Sequence, residues 1–82
     1  MADTTRAYIL IETAVGKTAD VASQLRSLPS MKNVDTVTGP FDIIAIAEAD
    51  TLHAIGDLIS EGMHKVSGIV KTITCLSVSN IH

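Results

Sequence analysis

Three histidines, one cysteine and nine acidic residues are the raw material for catalysis or metal binding in this 82-residue chain. His53 and His64 are eleven positions apart, nearly in phase on one helix but about 16 Å apart along its axis, so they do not share a metal within one chain. His82 is terminal, and exposed histidines account for all three more simply than a metal site does. Glu48 and Asp50 are close in sequence, yet one ends a strand and the other opens a helix, which argues against a general acid–base pair. Cys75 has no partner for an intramolecular disulfide or a zinc motif. A small buried apolar side chain is its expected role. No Ser/His/Asp, Cys/His or phosphate-loop pattern stands out.

The elements follow from periodicity. Arg6-Ala-Tyr-Ile-Leu-Ile-Glu12 is β-branched, aromatic and too short for a helix, so it predicts a strand. Gly16 breaks it, and Thr18 is the expected N-cap of a helix with Val21, Leu25 and Leu28 on one stripe, stopped by Pro29. Met31 to Thr38 partly alternates, Gly39-Pro40 is a turn signal, and Phe41 to Glu48 is a further strand closing an antiparallel hairpin. Asp50 is the expected cap of a second helix whose Leu52, Ile55, Ile59, Met63 and Val66 form one buried face. Gly62 should fray or bend its last turn, and Gly68 sits where a left-handed cap would end it. Ile69 to Val78 is the last strand.

The order βαββαβ predicts an α+β fold, a ferredoxin-like plait with both helices on one sheet face. In the first strand Ala7, Ile9 and Ile11 oppose Tyr8 and Leu10; in the third Phe41, Ile43, Ala45 and Ala47 oppose Ile44 and Ile46. Both faces are apolar, and two helices cover only one. The other is expected to meet a second sheet stacked face to face, giving an obligate dimer.

Composition narrows the function. With 46% apolar and 18% charged residues the chain folds and is not disordered. Its length sets one domain, residues 1–82, as the expectation. No apolar run approaches the roughly 20 residues of a membrane span and no signal segment opens the chain, so a cytoplasmic protein is expected, with no membrane partner. A net charge of −3, six scattered basic residues, one Tyr, one Phe and no Trp argue against direct nucleic-acid binding.

Val37-Thr-Gly-Pro-Phe-Asp-Ile-Ile-Ala45, then Leu58-Ile59, then Gly68-Ile-Val-Lys-Thr-Ile-Thr74, resembles the regulatory domain of the Lrp/AsnC (feast/famine) transcription regulators, the RAM domain. The resemblance runs from about Arg6 to Val78, and its specificity lies in the order and spacing together. It implies a dimeric α/β barrel, a homodimer assembling to higher oligomers, with an amino acid or related small molecule as effector and Lrp/AsnC-type DNA-binding homologues as partners. No cofactor and no catalytic residue are expected. Only Met1 to Thr5 precede the first strand, so the family's helix-turn-helix is missing and the stand-alone version of the domain is the expectation. The resemblance also carries over an effector site: Gly39, Phe41 and Asp42 from the hairpin, Thr72 and Thr74 from the last strand, with Cys75 and Leu76 following. Gly39 lets backbone approach a ligand, Asp42 accepts from an α-ammonium, and threonine hydroxyls bond polar groups. Pro40 replaces an acidic residue of other members and leaves ligand identity open.

Blander roles compete at each position. Gly39-Pro40 also makes a hairpin turn, Asp42 also bonds nearby backbone N–H groups, Thr72 and Thr74 also serve as β-branched strand residues, and Phe41 also serves as core. The functional expectation is a non-catalytic sensor whose ligand biases assembly. The alternatives are a pure assembly module pairing with full-length regulators, and a small α/β-barrel enzyme using Tyr8, Arg6 or the helical histidines.

Overall fold

A computed structural model describes residues 4–78. Its elements are β1 (Thr5–Thr13), α1 (Thr18–Arg26), β2 (Met31–Thr36), β3 (Ile43–Ala49), α2 (Leu52–Asp57) and β4 (Ile69–Leu76). A π turn (Leu58–Gly62) and a short 3-10 turn (Met63–Lys65) extend α2. The four strands form one antiparallel sheet in the order β2-β3-β1-β4, the ferredoxin-like plait expected from the element order.

Strand pleating decides which side chains meet the helices. Ala7, Ile9 and Ile11 of β1 and Ile43, Ala45 and Ala47 of β3 are fully buried, packed with Val21, Ala22 and Leu25 of α1 and Ile55 of α2. Burying such apolar surface is the main favourable term in folding this chain. The alternate residues Tyr8, Leu10, Ile44 and Ile46 point to the opposite sheet face, which no helix among the described residues covers.

Several local expectations change. Thr18 opens α1 instead of capping it: the cap position is Lys17, and the Thr18 hydroxyl bonds Thr13 Oγ1 at 2.7 Å. Asp50 does not cap α2; Thr51 Oγ1 accepts from Ala54 N at 3.0 Å, one residue later. The helical stripe holds for Ile55, Met63 and Val66, but Leu52 is exposed and Leu58 is buried. The π turn inserts one residue per turn relative to the α-helix, which rotates the buried face at that point. Gly62 closes this turn, where bending was expected. Gly68 has φ +102°, and a Cβ there would lie 2.9 Å from Val21 Cγ2. β2 stops at Thr36 and β3 starts at Ile43, because residues 37–42 form the hairpin loop, closed by Val37 N donating to Asp42 O at 2.9 Å. β4 ends at Leu76, two residues short of Val78.

Candidate functional site

The hairpin loop sits at the sheet end where β1 leaves and α1 begins. Asp42 N donates to Ile11 O at 2.9 Å, and its carboxylate oxygen Oδ2 accepts from Thr13 N at 2.8 Å and from Thr13 Oγ1 at 3.2 Å. Thr13 is buried, and its hydroxyl continues the network to Thr18. Asp42 therefore ties the hairpin to the end of β1 through one oxygen, while Oδ1 takes no part in these bonds. Sequence reasoning expected Asp42 to bond nearby backbone N–H groups, but the N–H it takes belongs to Thr13, and neither Thr13 nor Thr18 was anticipated. Twenty-nine positions separate Thr13 from Asp42, and no short-range signal links them. Gly39 has φ +139°, a conformation that favours glycine, and lies exposed beside Pro40; Phe41 is half-buried. These three candidates are together on one loop.

The last-strand candidates divide by pleat. Thr72 pairs with Ile11, Thr74 with Ile9 and Leu76 with Ala7, so all three point to the helix face. They are nevertheless exposed, because β4 is an edge strand and the helices lie over β2, β3 and β1. Thr72 helps line a cavity of about 310 Å³ between the turns after α2 and the start of β4, with Ile59, Ser60, Met63, His64 and Ile69. Ser60 and His64 were not among the expected site residues; Ser60 already donates to Gly56 O at 2.9 Å.

Cys75 pairs with Tyr8 and points to the opposite, uncovered face, away from Thr72 and Thr74. It is exposed, not buried as expected, since none of the described residues lies over that face of this edge strand. On the same face Arg6 bonds Glu48, with Nε at 2.9 Å and Nη2 at 2.8 Å from Oε2, and its Nη1 reaches the Tyr8 hydroxyl at 3.5 Å. The Tyr8 hydroxyl first and the Glu48 carboxylate second hold this guanidinium above its ordinary pKa. His53 and His64 are exposed on the helical layer, His53 lying 3.7 Å from Asp57. His82 lies outside the described residues. Among the described residues no three His, Cys, Asp or Glu side chains gather to hold a metal ion, and no helix is long and apolar enough to cross a membrane.

Comparison with known proteins places this geometry. The family profile described as the Lrp/AsnC ligand binding domain matches residues 6–82. An uncharacterized HTH-type transcriptional regulator of Pyrococcus furiosus is 29% identical over 62 residues, 76% of this chain and 41% of that protein. This chain thus spans about two fifths of the length of the curated relative it matches. Among solved structures, FFRP-DM1 superposes with a TM-score of 0.85 at 34% identity, covering 90% of this chain and 99% of that one. A hypothetical protein from Pyrococcus horikoshii gives a TM-score of 0.85 at 32% identity over 95% and 99% of the two chains. A transcriptional regulator of Neisseria meningitidis, solved as its L-Met complex, shares the fold at 19% identity, with a TM-score of 0.81 over 95% of this chain and 52% of that one. With its profile matched from Arg6 onward and its plait shared with these proteins, the chain belongs to the Lrp/AsnC ligand-binding domain family.

Proposed function

We propose that residues 1–82 act as one amino-acid-sensing assembly domain in the cytoplasm. Two copies stack through their uncovered sheet faces, and a small molecule held between the hairpin loop of one dimer and a neighbouring dimer favours a larger assembly. The domain is non-catalytic and makes no DNA contact of its own. Its influence on transcription runs through Lrp/AsnC-type DNA-binding homologues. The observation that carries the assembly half is the one-sided helix layer, which leaves Tyr8, Leu10, Ile44, Ile46 and Ile73 on a face without cover from the described residues. The sensing half is supported by the family match across nearly the whole chain and by the amino acid bound in the Neisseria relative. Gly39, Phe41, Asp42, Thr72 and Thr74 are the residues assigned to the effector, with Cys75 and Leu76 secondary. A ligand contacting two dimers shifts the assembly by its differential affinity for the larger state.

Thermal unfolding at fixed protein concentration against the twenty amino acids tests this reading. A ligand at 100 times its Kd adds about 2.7 kcal/mol per site, and each kcal/mol moves the midpoint of a small domain by about 4–8 °C. A selective shift that Thr72→Val reduces is expected. No shift with any of the twenty would refute amino-acid sensing and leave a pure assembly module.

A further inference from the structure

The helical segment that starts with α2 keeps its charges on one flank. Asp57, Glu61 and Lys65 line a cleft against Pro29 and Ser30, in the connection between α1 and β2. Ile59, Ser60, Met63 and His64 stand on the other flank, where they meet Ile69 and Thr72 of β4 around the cavity of about 310 Å³. Among the described residues no carboxylate, ammonium or guanidinium lines that cavity. Glu12 and Lys71 stay out of it, because they pair across β1 and β4 on the sheet face opposite Thr72.

The walls also divide by depth. Met63 is buried and Ile59 and Ile69 are half-buried, so the floor is apolar; Ser60, His64 and Thr72 are exposed and ring the opening. Ser60 Oγ donates its hydrogen to Gly56 O at 2.9 Å, which leaves its lone pairs as acceptors toward a ligand. An imidazole N–H of His64 and the Thr72 hydroxyl are available as donors. Apolar walls with a few convergent polar groups are the pattern of small-molecule sites, and a volume near 310 Å³ is at the small end of their range. A charged side chain entering this cavity would lose water without gaining a counter-charge, which is costly.

We infer that this cavity is the side-chain pocket of the effector site and that it selects an amino acid with an uncharged, mainly apolar side chain, aliphatic or thioether. The α-ammonium stays at the rim with Ser60 Oγ, and the α-carboxylate with His64 and the Thr72 hydroxyl. This rests on the amino-acid sensing proposed above and specifies which amino acids are sensed. It adds Ser60 and His64, from the turns after α2, to the effector residues assigned on the hairpin and β4.

The test is isothermal titration calorimetry of the wild-type chain with each of the twenty amino acids, repeated for the tightest binder on Ser60→Phe and Glu61→Gln, both checked for folding by circular dichroism. The tightest binder should have an uncharged, mainly apolar side chain, with lysine, arginine, aspartate and glutamate weaker by about tenfold or more. Ser60→Phe sets a ring in the opening and should weaken binding by about tenfold or more. Glu61→Gln, on the other flank, should leave the affinity within about twofold of wild type. If Ser60→Phe fails to fold, His64→Phe, at an exposed position of the next turn, replaces it. A tightest binder with a charged or mainly polar side chain overturns the inference and leaves amino-acid sensing standing, and so does a folded Ser60→Phe protein that keeps wild-type affinity. Binding of none of the twenty overturns the sensing reading itself, and the inference with it.

Discussion

Replacing Asp42 with alanine removes the only tie described between the hairpin carboxylate and the end of β1. Thr13 N donates to Asp42 Oδ2 at 2.8 Å, and Thr13 Oγ1 donates to the same oxygen at 3.2 Å. Thr13 is 8% exposed, so its freed N–H has little access to water. Leaving a buried donor unpaired costs about 1–3 kcal/mol. The hydroxyl loses less, because it still has Thr18 Oγ1 at 2.7 Å. The expected loss for Asp42→Ala is about 2 kcal/mol, a midpoint lower by about 8–16 °C in a domain of this size. Asp42→Asn keeps a carbonyl oxygen for Thr13 N and should lose about 1 kcal/mol, the charge-assisted part of the bond. Thermal and urea unfolding at one protein concentration, with Thr13→Val completing a double-mutant cycle, supplies the numbers. An Asp42→Ala protein melting within about 2 °C of wild type would refute the reasoning. The same arithmetic makes Asp42→Asn, not Asp42→Ala, the variant in which to ask whether the carboxylate also meets a ligand.

Other perturbations follow from the packing. Gly68→Ala should cost about 2–3 kcal/mol by urea unfolding, because φ is +102° and the new Cβ would meet buried Val21 at 2.9 Å. Thr51→Ala removes the α2 cap and should cost about 1 kcal/mol, whereas Asp50→Ala should stay within about 0.5 kcal/mol by the same measurement. Leu10→Asp places a carboxylate in the middle of the uncovered face and should yield a folded monomer by sedimentation. Ile9→Ala, on the helix side of the same strand, should cost about 2–5 kcal/mol in unfolding.

The element order and the two faces of the sheet were legible because they depend on periods of two and three to four residues, as in Ala7-Ile9-Ile11 against Tyr8-Leu10. Helix starts were legible only to a residue or so. Thr18 and Asp50 are both good caps by type, but Thr18 turns to Thr13, and Thr51 takes the capping bond that Asp50 was expected to make. The π turn rotates Leu58 inward and leaves Leu52 out, a change no regular period anticipates. At the candidate site the hairpin grouping of Gly39, Phe41 and Asp42 was readable from adjacency. The separation of Cys75 from Thr72 and Thr74 follows from strand pleating once β4 is placed at an edge. The Thr13–Asp42 bond was not readable, because tertiary folding alone brings those positions together.

Sedimentation velocity of the wild-type chain at micromolar concentration, with and without the amino acid that most raises its thermal midpoint, tests the central claim most directly. The account predicts a dimer or a multiple of dimers whose size distribution shifts when that amino acid is added. A folded monomer, or an assembly whose size ignores an amino acid it demonstrably binds, would contradict it.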